Sequence, residues 1–280
     1  MDNATATSDA PGVARRYFDF VGRHWLSLGW TLRNVGSFAL ITIAVCITKF
    51  RVSRRVVSPL VRQQIARAGI GLLPWVLFLG LVLGLVVIGQ TVSLLTKAGS
   101  THYIGTVMNT VIFRELGPIT AGLLVLTRMG TATVVELGTK RARGEIEALE
   151  ALGIDPVHYL VVPRVIGLAL SSFALTIYLV ITVMLSGLLF AILTDVPITP
   201  GDYFNQIASG LTYRDFMFLA IKTVMFGAII AVVSCFHGLA QPIELEQVPR
   251  AASRAISQSA ATCLIFNAFF IILYILLGAE

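Results

Sequence analysis

Residues 165–194 read VIGLALSSFALTIYLVITVMLSGLLFAILT, thirty consecutive residues without a charged side chain. A stretch of about 20 apolar residues, rising 1.5 Å each as a helix, crosses the ~30 Å hydrocarbon core of a bilayer. A helix can do so because it satisfies every backbone N–H and C=O within the segment. Three more uncharged runs of spanning length lie between Arg67 and Lys97, Lys222 and Glu244, and Arg254 and Glu280. A fifth, 103–135, is apolar enough to cross but is interrupted by Arg114, Glu115 and Arg128. Composition agrees: 56% of the 280 residues are hydrophobic and 13% charged, against about 45–50% and ~25% in soluble domains. The expected fold is an all-α integral membrane protein of about five transmembrane helices, near 68–96, 103–135, 159–194, 216–240 and 256–278.

Basic residues near span ends stay on the cytoplasmic side. Ten of the 21 precede the first long span: Arg15, Arg16, Arg23, Arg33, Lys49, Arg51, Arg54, Arg55, Arg62 and Arg67. The N-terminus is therefore expected inside. Five crossings then put Lys140, Arg141, Arg143, Arg250 and Arg254 inside as well. Lys97 and Arg214 fall outside with Asp195, Asp202 and Asp215, and so does the C-terminus.

Residues 1–12 are polar and lack the basic start and apolar core of a signal peptide, so they read as a flexible tail. From there to residue 67 the chain reads as an N-terminal interfacial helical region preceding the spans. Arg16, Asp19, Arg23 and Ser27 mark one side of a helix whose remainder carries Tyr17, Phe20, Val21, Trp25, Leu28 and Leu32, which suits the membrane interface. The apolar run 35–48 is too short to cross and reads as interfacial or re-entrant. The basic stretch that follows can lie on anionic headgroups or be a solvated loop. Cys46, Cys235 and Cys263 are isolated in apolar surroundings without metal or redox spacing.

Function is constrained by what the sequence lacks. It contains no G-x-x-x-x-G-K-[ST] phosphate loop, no H-E-x-x-H pair and no G-x-S-x-G turn, and His24, His102, His158 and His237 are scattered. No enzymatic role is expected, no metal and no cofactor in this chain, and energy for driven work must come from a partner or an ion gradient. Between the second and third spans, ELGTKRARGEIEALEALGIDP (136–156) sets Ile146, Leu149 and Leu152 at helical spacing among Glu145, Glu147 and Glu150. A short amphipathic helix is expected over about 141–153. Gly153 suits a left-handed terminus and Asp155-Pro156 ends it. Such a helix docks in a partner's groove or is simply a capped connector.

The continuous segment RELGPITAGLLVLTRMGTATVVELGTKRARGEIEALEALGIDP (114–156) resembles the signature region of the MlaE/YrbE family. These are permease subunits of ABC systems that move phospholipids or other lipids with MCE-domain proteins. Arg114-Glu115-Leu116-Gly117-Pro118, Arg128, Gly130, Glu136-Leu137-Gly138, Glu147-Ala148-Leu149 and Gly153-Ile154-Asp155-Pro156 fall in the family's order and spacing. A looser resemblance runs from about residue 60 to the C-terminus and includes Arg62-Gln63, Lys222, Arg250 and Arg254. The chain departs from the pattern at Glu244-Leu245-Glu246-Gln247-Val248-Pro249, where many members have a Gly-rich turn, and at Gly144, which replaces a better helix former.

The resemblance implies a 68–280 permease domain, paired as a homodimer in the bacterial inner membrane. It also implies a cytoplasmic ABC ATPase holding ATP-Mg, a periplasmic MCE-domain protein and, in some members, a STAS-domain protein. Membrane phospholipid would be the cargo and nucleic acid would have no part. Glu145, Ile146, Glu147, Leu149, Glu150, Leu152 and Gly153 would form the coupling helix.

Arg114 and Glu115, adjacent on a helix, point about 100° apart and cannot pair with each other. Gly117-Pro118 just beyond them can break or kink the helix. Each charge at bilayer depth costs about 2.5–3.5 kcal/mol on insertion scales. Two readings follow. A polar cavity could receive a lipid headgroup at Arg114, with Glu115 and Lys222 beside it and Arg62, Arg250 and Arg254 at the cytoplasmic end. Alternatively, the pair binds neighbouring helices, Lys222 to Glu115 among them, and holds the bundle together. Arg128 can snorkel toward the cytoplasm. Gly80-x-x-x-Gly84 permits a close helix contact, within or between copies. The competing function is an ion-coupled secondary transporter of a small amphiphile that uses Glu115 as its proton site.

Overall fold

The computed structural model describes residues 33–42, 44–45, 54–100, 103–194, 199–239 and 244–278. The tail and most of the N-terminal interfacial region lie outside these residues. The chain divides into two units, 1–41 and 42–280. In the first, residues 33–41 are helical. The described residues of the second form the helices α1 (Ser58–Lys97), α2 (Ile104–Ala142), α3 (Glu145–Ala151), α4 (Val157–Leu193), α5 (Pro200–Gly210), α6 (Tyr213–Leu239) and α7 (Leu245–Leu276). Five of them, α1, α2, α4, α6 and α7, are long and apolar enough to cross a membrane.

These helices are longer than the uncharged runs that predict them. α1 begins before Arg62, α2 continues to Ala142 instead of 135, and α7 starts at Leu245 instead of 256. Charge-free runs mark only the hydrocarbon layer, whereas a helix can continue into the headgroup layer, where Arg and Lys are solvated. α1 bends at the turn Gly71–Leu72. Pro74 there lacks an N–H and its ring crowds the carbonyl one turn back.

α4 lies at the centre, packed against α1, α2 and α6, with α7 on the far side of α6. Val76, Ile88, Val125, Leu168, Leu175, Leu179 and Ile230 are all but inaccessible between them. Contact is close because lipid supplies no hydrophobic drive between helices, so small residues let the backbones approach. A Cβ on Gly84 would stand 1.7 Å from Ser186 Oγ and 2.5 Å from the Val183 carbonyl oxygen on α4. One on Gly227 of α6 would meet the Leu168 carbonyl oxygen at 2.5 Å. The Gly80-x-x-x-Gly84 stripe is thus filled by α4 of its own chain.

α5 caps the end of the bundle opposite α3. Thr199 Oγ1 accepts from Asp202 N–H at 3.1 Å as its N-cap. Tyr203 is buried and donates its hydroxyl to the Met184 carbonyl at 3.0 Å, and burial pushes that phenol above its ordinary pKa. Asn109 of α2 donates to the Gly210 carbonyl at the end of α5. Outward faces remain apolar: Trp75 and Phe78 on α1, and Leu264, Ile265, Phe269 and Ile272 on α7, are all at least half exposed.

Candidate functional site

Of the break or kink expected at Gly117-Pro118 there is no break: a widened turn lies inside a continuous helix. Residues Asn109–Leu116 coil more loosely, and the Gly117 N–H reaches back five residues to Ile112 O. Proline cannot supply the N–H that would bond the carbonyl four residues earlier, which belongs to Arg114. Lys222 of α6 takes that place: its Nζ donates to Arg114 O at 2.8 Å. The same ammonium donates to both oxygens of Glu115 at 3.0 Å, so its three donors have three acceptors on α2.

Around this core the other polar groups close in. Asn267 of α7 donates to Glu115 Oε2 at 3.1 Å. Arg114 Nε lies 3.0 Å from Asp215 Oδ1 of α6, and its guanidinium stacks 4.2 Å above the Tyr274 ring. The Tyr274 hydroxyl donates to Asp215 Oδ1 at 3.1 Å, and the Thr212 N–H to Asp215 Oδ2 at 3.0 Å. Two ion pairs from two helices are thereby locked together by a third. Side-chain exposure separates their members: Asp215 has 0% and Lys222 4%, while Arg114 keeps 27% and Glu115 33%. What the site can present outward is the edge of the Arg114 guanidinium and one face of the Glu115 carboxylate.

The other sequence-predicted cations are elsewhere. Arg62, Arg250 and Arg254 are exposed at the far ends of α1 and α7. Seventeen residues separate Arg250 from Asn267 on α7, about 25 Å along the axis. Arg128 does not simply snorkel; its guanidinium stacks 4.6 Å from the Trp75 ring of α1. Asp215, Asn267 and Tyr274 were not predicted as site residues. Asp215 carried a signal as an acid beside Arg214 at the edge of an apolar run, whereas Asn267 and Tyr274, uncharged in an apolar run, carried none.

At the opposite end α3 is shorter than the 141–153 helix expected. Gly144, at φ +74°, breaks it from α2, so at this departure from the family pattern the chain turns a corner. Gly153, also at φ +74°, ends it. The Gly153 N–H bonds Glu150 O at 2.9 Å and the Ile154 N–H bonds Leu149 O at 3.0 Å, the two bonds of a Schellman terminus. Asp155 Oδ1 then accepts from the Val157 N–H at 3.0 Å, starting α4. Ile146 does not join an outer ridge: it is 2% exposed, packed inward. Glu145, Glu147, Glu150 and Leu152 face out, Leu152 at 76%, with Leu149 half-buried between. The 244–249 loop contains a single tight turn, Leu245–Gln247, after which Val248 packs on Gly138.

Comparison with known proteins matches the sequence model of the family described as Permease MlaE over residues 61–273. A protein of Rickettsia typhi, named as a probable ABC transporter permease protein, is 28% identical over 89% of this chain and 94% of its own length. A Synechocystis protein named in the same way is 30% identical over 88% of this chain and 92% of its own length. The chloroplastic protein trigalactosyldiacylglycerol 1 of Arabidopsis thaliana is 34% identical over 63% of this chain and 50% of its own length.

Proposed function

The chain belongs to the MlaE permease family, and on that premise we propose that it moves phospholipid or a related lipid between the bacterial inner membrane and a periplasmic MCE-domain protein. It does so as a homodimer, N-terminus in the cytoplasm and C-terminus in the periplasm, driven by a separate ABC ATPase that holds ATP-Mg. Relatives of matching length are named as ABC transporter permeases, and one partial relative bears the name of a glycolipid.

The observation that carries the reading is α3. A seven-residue helix fixed at both ends by left-handed glycines projects three carboxylates and Leu152 from a bundle whose own sequence has no nucleotide-binding motif. It is the rigid, partly apolar knob that an ATPase groove needs if its motions are to reach α2 and α4, the helices α3 joins. Arg114 is the headgroup contact, because its partly open guanidinium is suited to a lipid phosphate. Glu115 and Lys222 set its position, and Arg62, Arg250 and Arg254 meet headgroups at the ATPase end.

Leu152→Arg tests the docking role without touching the bilayer. Losing a central interface contact costs about 2 kcal/mol or more, so affinity for the ATPase, read by co-purification, is expected to fall roughly thirtyfold or more while the membrane subunit still elutes as one monodisperse species. Unchanged co-purification and ATPase stimulation would remove α3 from the coupling role.

A further inference from the structure

A second charged cluster lies at the α3 end of the bundle, where α1, α2 and α4 converge on one carboxylate. Glu136 of α2 forms ion pairs with Arg164 of α4 at 2.7 Å, with Lys140 one turn on at 3.4 Å, and with Arg67 of α1 at 3.9 Å. These cations are not equivalent. Arg164, with a 4% exposed side chain, is the structural partner of Glu136 and also donates to Leu160 O at 3.0 Å. Arg67 and Lys140 stand farther off, with side chains 53% and 35% exposed. Among the described residues Glu136 is their only acidic partner. Three cations against one carboxylate leave an excess of two positive charges, on groups with spare N–H donors.

Depth and surroundings say what meets them. α2 has 39 residues, so it is about 58 Å long, nearly twice the ~30 Å hydrocarbon core. Glu136 and Lys140 lie within about 9 Å of its end, outside that core and at the level of the headgroups. The anion concentrated at this depth is the phosphate of a lipid. On α1, just toward the hydrocarbon from Arg67, Ile70, Trp75 and Phe78 are exposed at 73%, 50% and 63%, an apolar strip against which acyl chains can lie. Glu136 is 22 residues from Arg114 along α2, about 33 Å, so this is a separate site, and it stands whether or not lipid is the cargo.

We propose that Arg67 and Lys140, positioned by the Glu136–Arg164 pair, form a binding site for the phosphate of an anionic lipid headgroup. Basic pockets between transmembrane helices on the cytoplasmic side recognise such headgroups. Because the site joins α1, α2 and α4 beside α3, an occupied site braces the helices that receive the ATPase's motion.

The test is native mass spectrometry of the full chain in detergent, titrated with phosphatidylglycerol and, in parallel, with phosphatidylcholine. The wild type is expected to retain phosphatidylglycerol preferentially. Each surface cation is worth about a fivefold change in lipid affinity. Arg67→Gln alone should therefore lower phosphatidylglycerol retention about fivefold, and Arg67→Gln with Lys140→Gln roughly thirtyfold. Phosphatidylcholine should change little in either. Arg67→Lys with Lys140→Arg keeps the charges and should keep the preference. Arg143→Gln, an exposed cation at the same end, should leave it intact. Wild-type retention in the double variant, or equal loss in Arg143→Gln, would overturn the site. Displacement of the lipid by millimolar inorganic phosphate would reassign it to a free phosphate and overturn the headgroup assignment.

Discussion

Replacing Arg114 by glutamine leaves the Asp215 carboxylate, whose side chain is wholly buried, with only the Tyr274 hydroxyl and the Thr212 N–H as donors. Removing one member of such a pair costs about 3–5 kcal/mol, so Arg114→Gln should express poorly or unfold early. Arg114→Gln combined with Asp215→Asn removes both charges and should recover most of that loss, while bound phospholipid per protein, read by lipid mass spectrometry, should still fall severalfold. Normal lipid content in a well-folded double variant would make the pair purely structural. Arg114, Glu115 and Lys222 were legible in the sequence because charges inside apolar runs demand a reason. The Lys222–Glu115 pair was one of the two readings the sequence offered and is the one observed, whereas Asp215 as the partner of Arg114 was not legible, because that pairing depends on how α6 is rotated against α2. Asp215, beside Arg214 at the edge of its run, reads equally well as a loop acid.

At the level of elements, the helices were legible from their apolar length and their ends were not, because the sequence pattern marks the hydrocarbon layer and the helix continues past it. At Gly117-Pro118 the sequence allows a break or a kink; α2 does not break, and the freed Arg114 carbonyl is bonded by Lys222, a rescue from another helix that local sequence cannot report. The glycine stripe Gly80-x-x-x-Gly84 announced a close contact without saying with which partner. Its partner here is α4, so Gly84→Ala should push α1 off the Ser186 and Val183 positions and destabilise the subunit by about 1–3 kcal/mol. Thermal unfolding in detergent measures this. An unchanged midpoint with loss of the proposed dimer on mass analysis would instead place the stripe between copies.

For the whole molecule, five spans put the α3 and α5 ends on opposite faces of the membrane, and each face has its own equipment. The α3 end bears the exposed knob that we propose docks on an ATPase, and the Glu136 cluster; the Arg114–Asp215 and Glu115–Lys222 pairs lie toward the α5 end. The resemblance of 114–156 to a known signature made the permease family legible, since α3, Arg114 and Glu115 fall within that one segment, while their partners Asp215 and Lys222 lie on α6. The Glu136 cluster was hidden because its members come from α1, α2 and α4, and only packing brings them together. A lipid, we propose, moves through this chain at the expense of ATP hydrolysed by a docked partner. The most direct test is transfer of a fluorescent phospholipid between vesicles containing the permease with its ATPase and a purified MCE-domain acceptor. Transfer should require hydrolysable ATP, persist when the proton gradient is collapsed, and drop to background with Leu152→Arg. Transfer that ignores ATP and follows the proton gradient would contradict the account and return Glu115 to the role of a proton site.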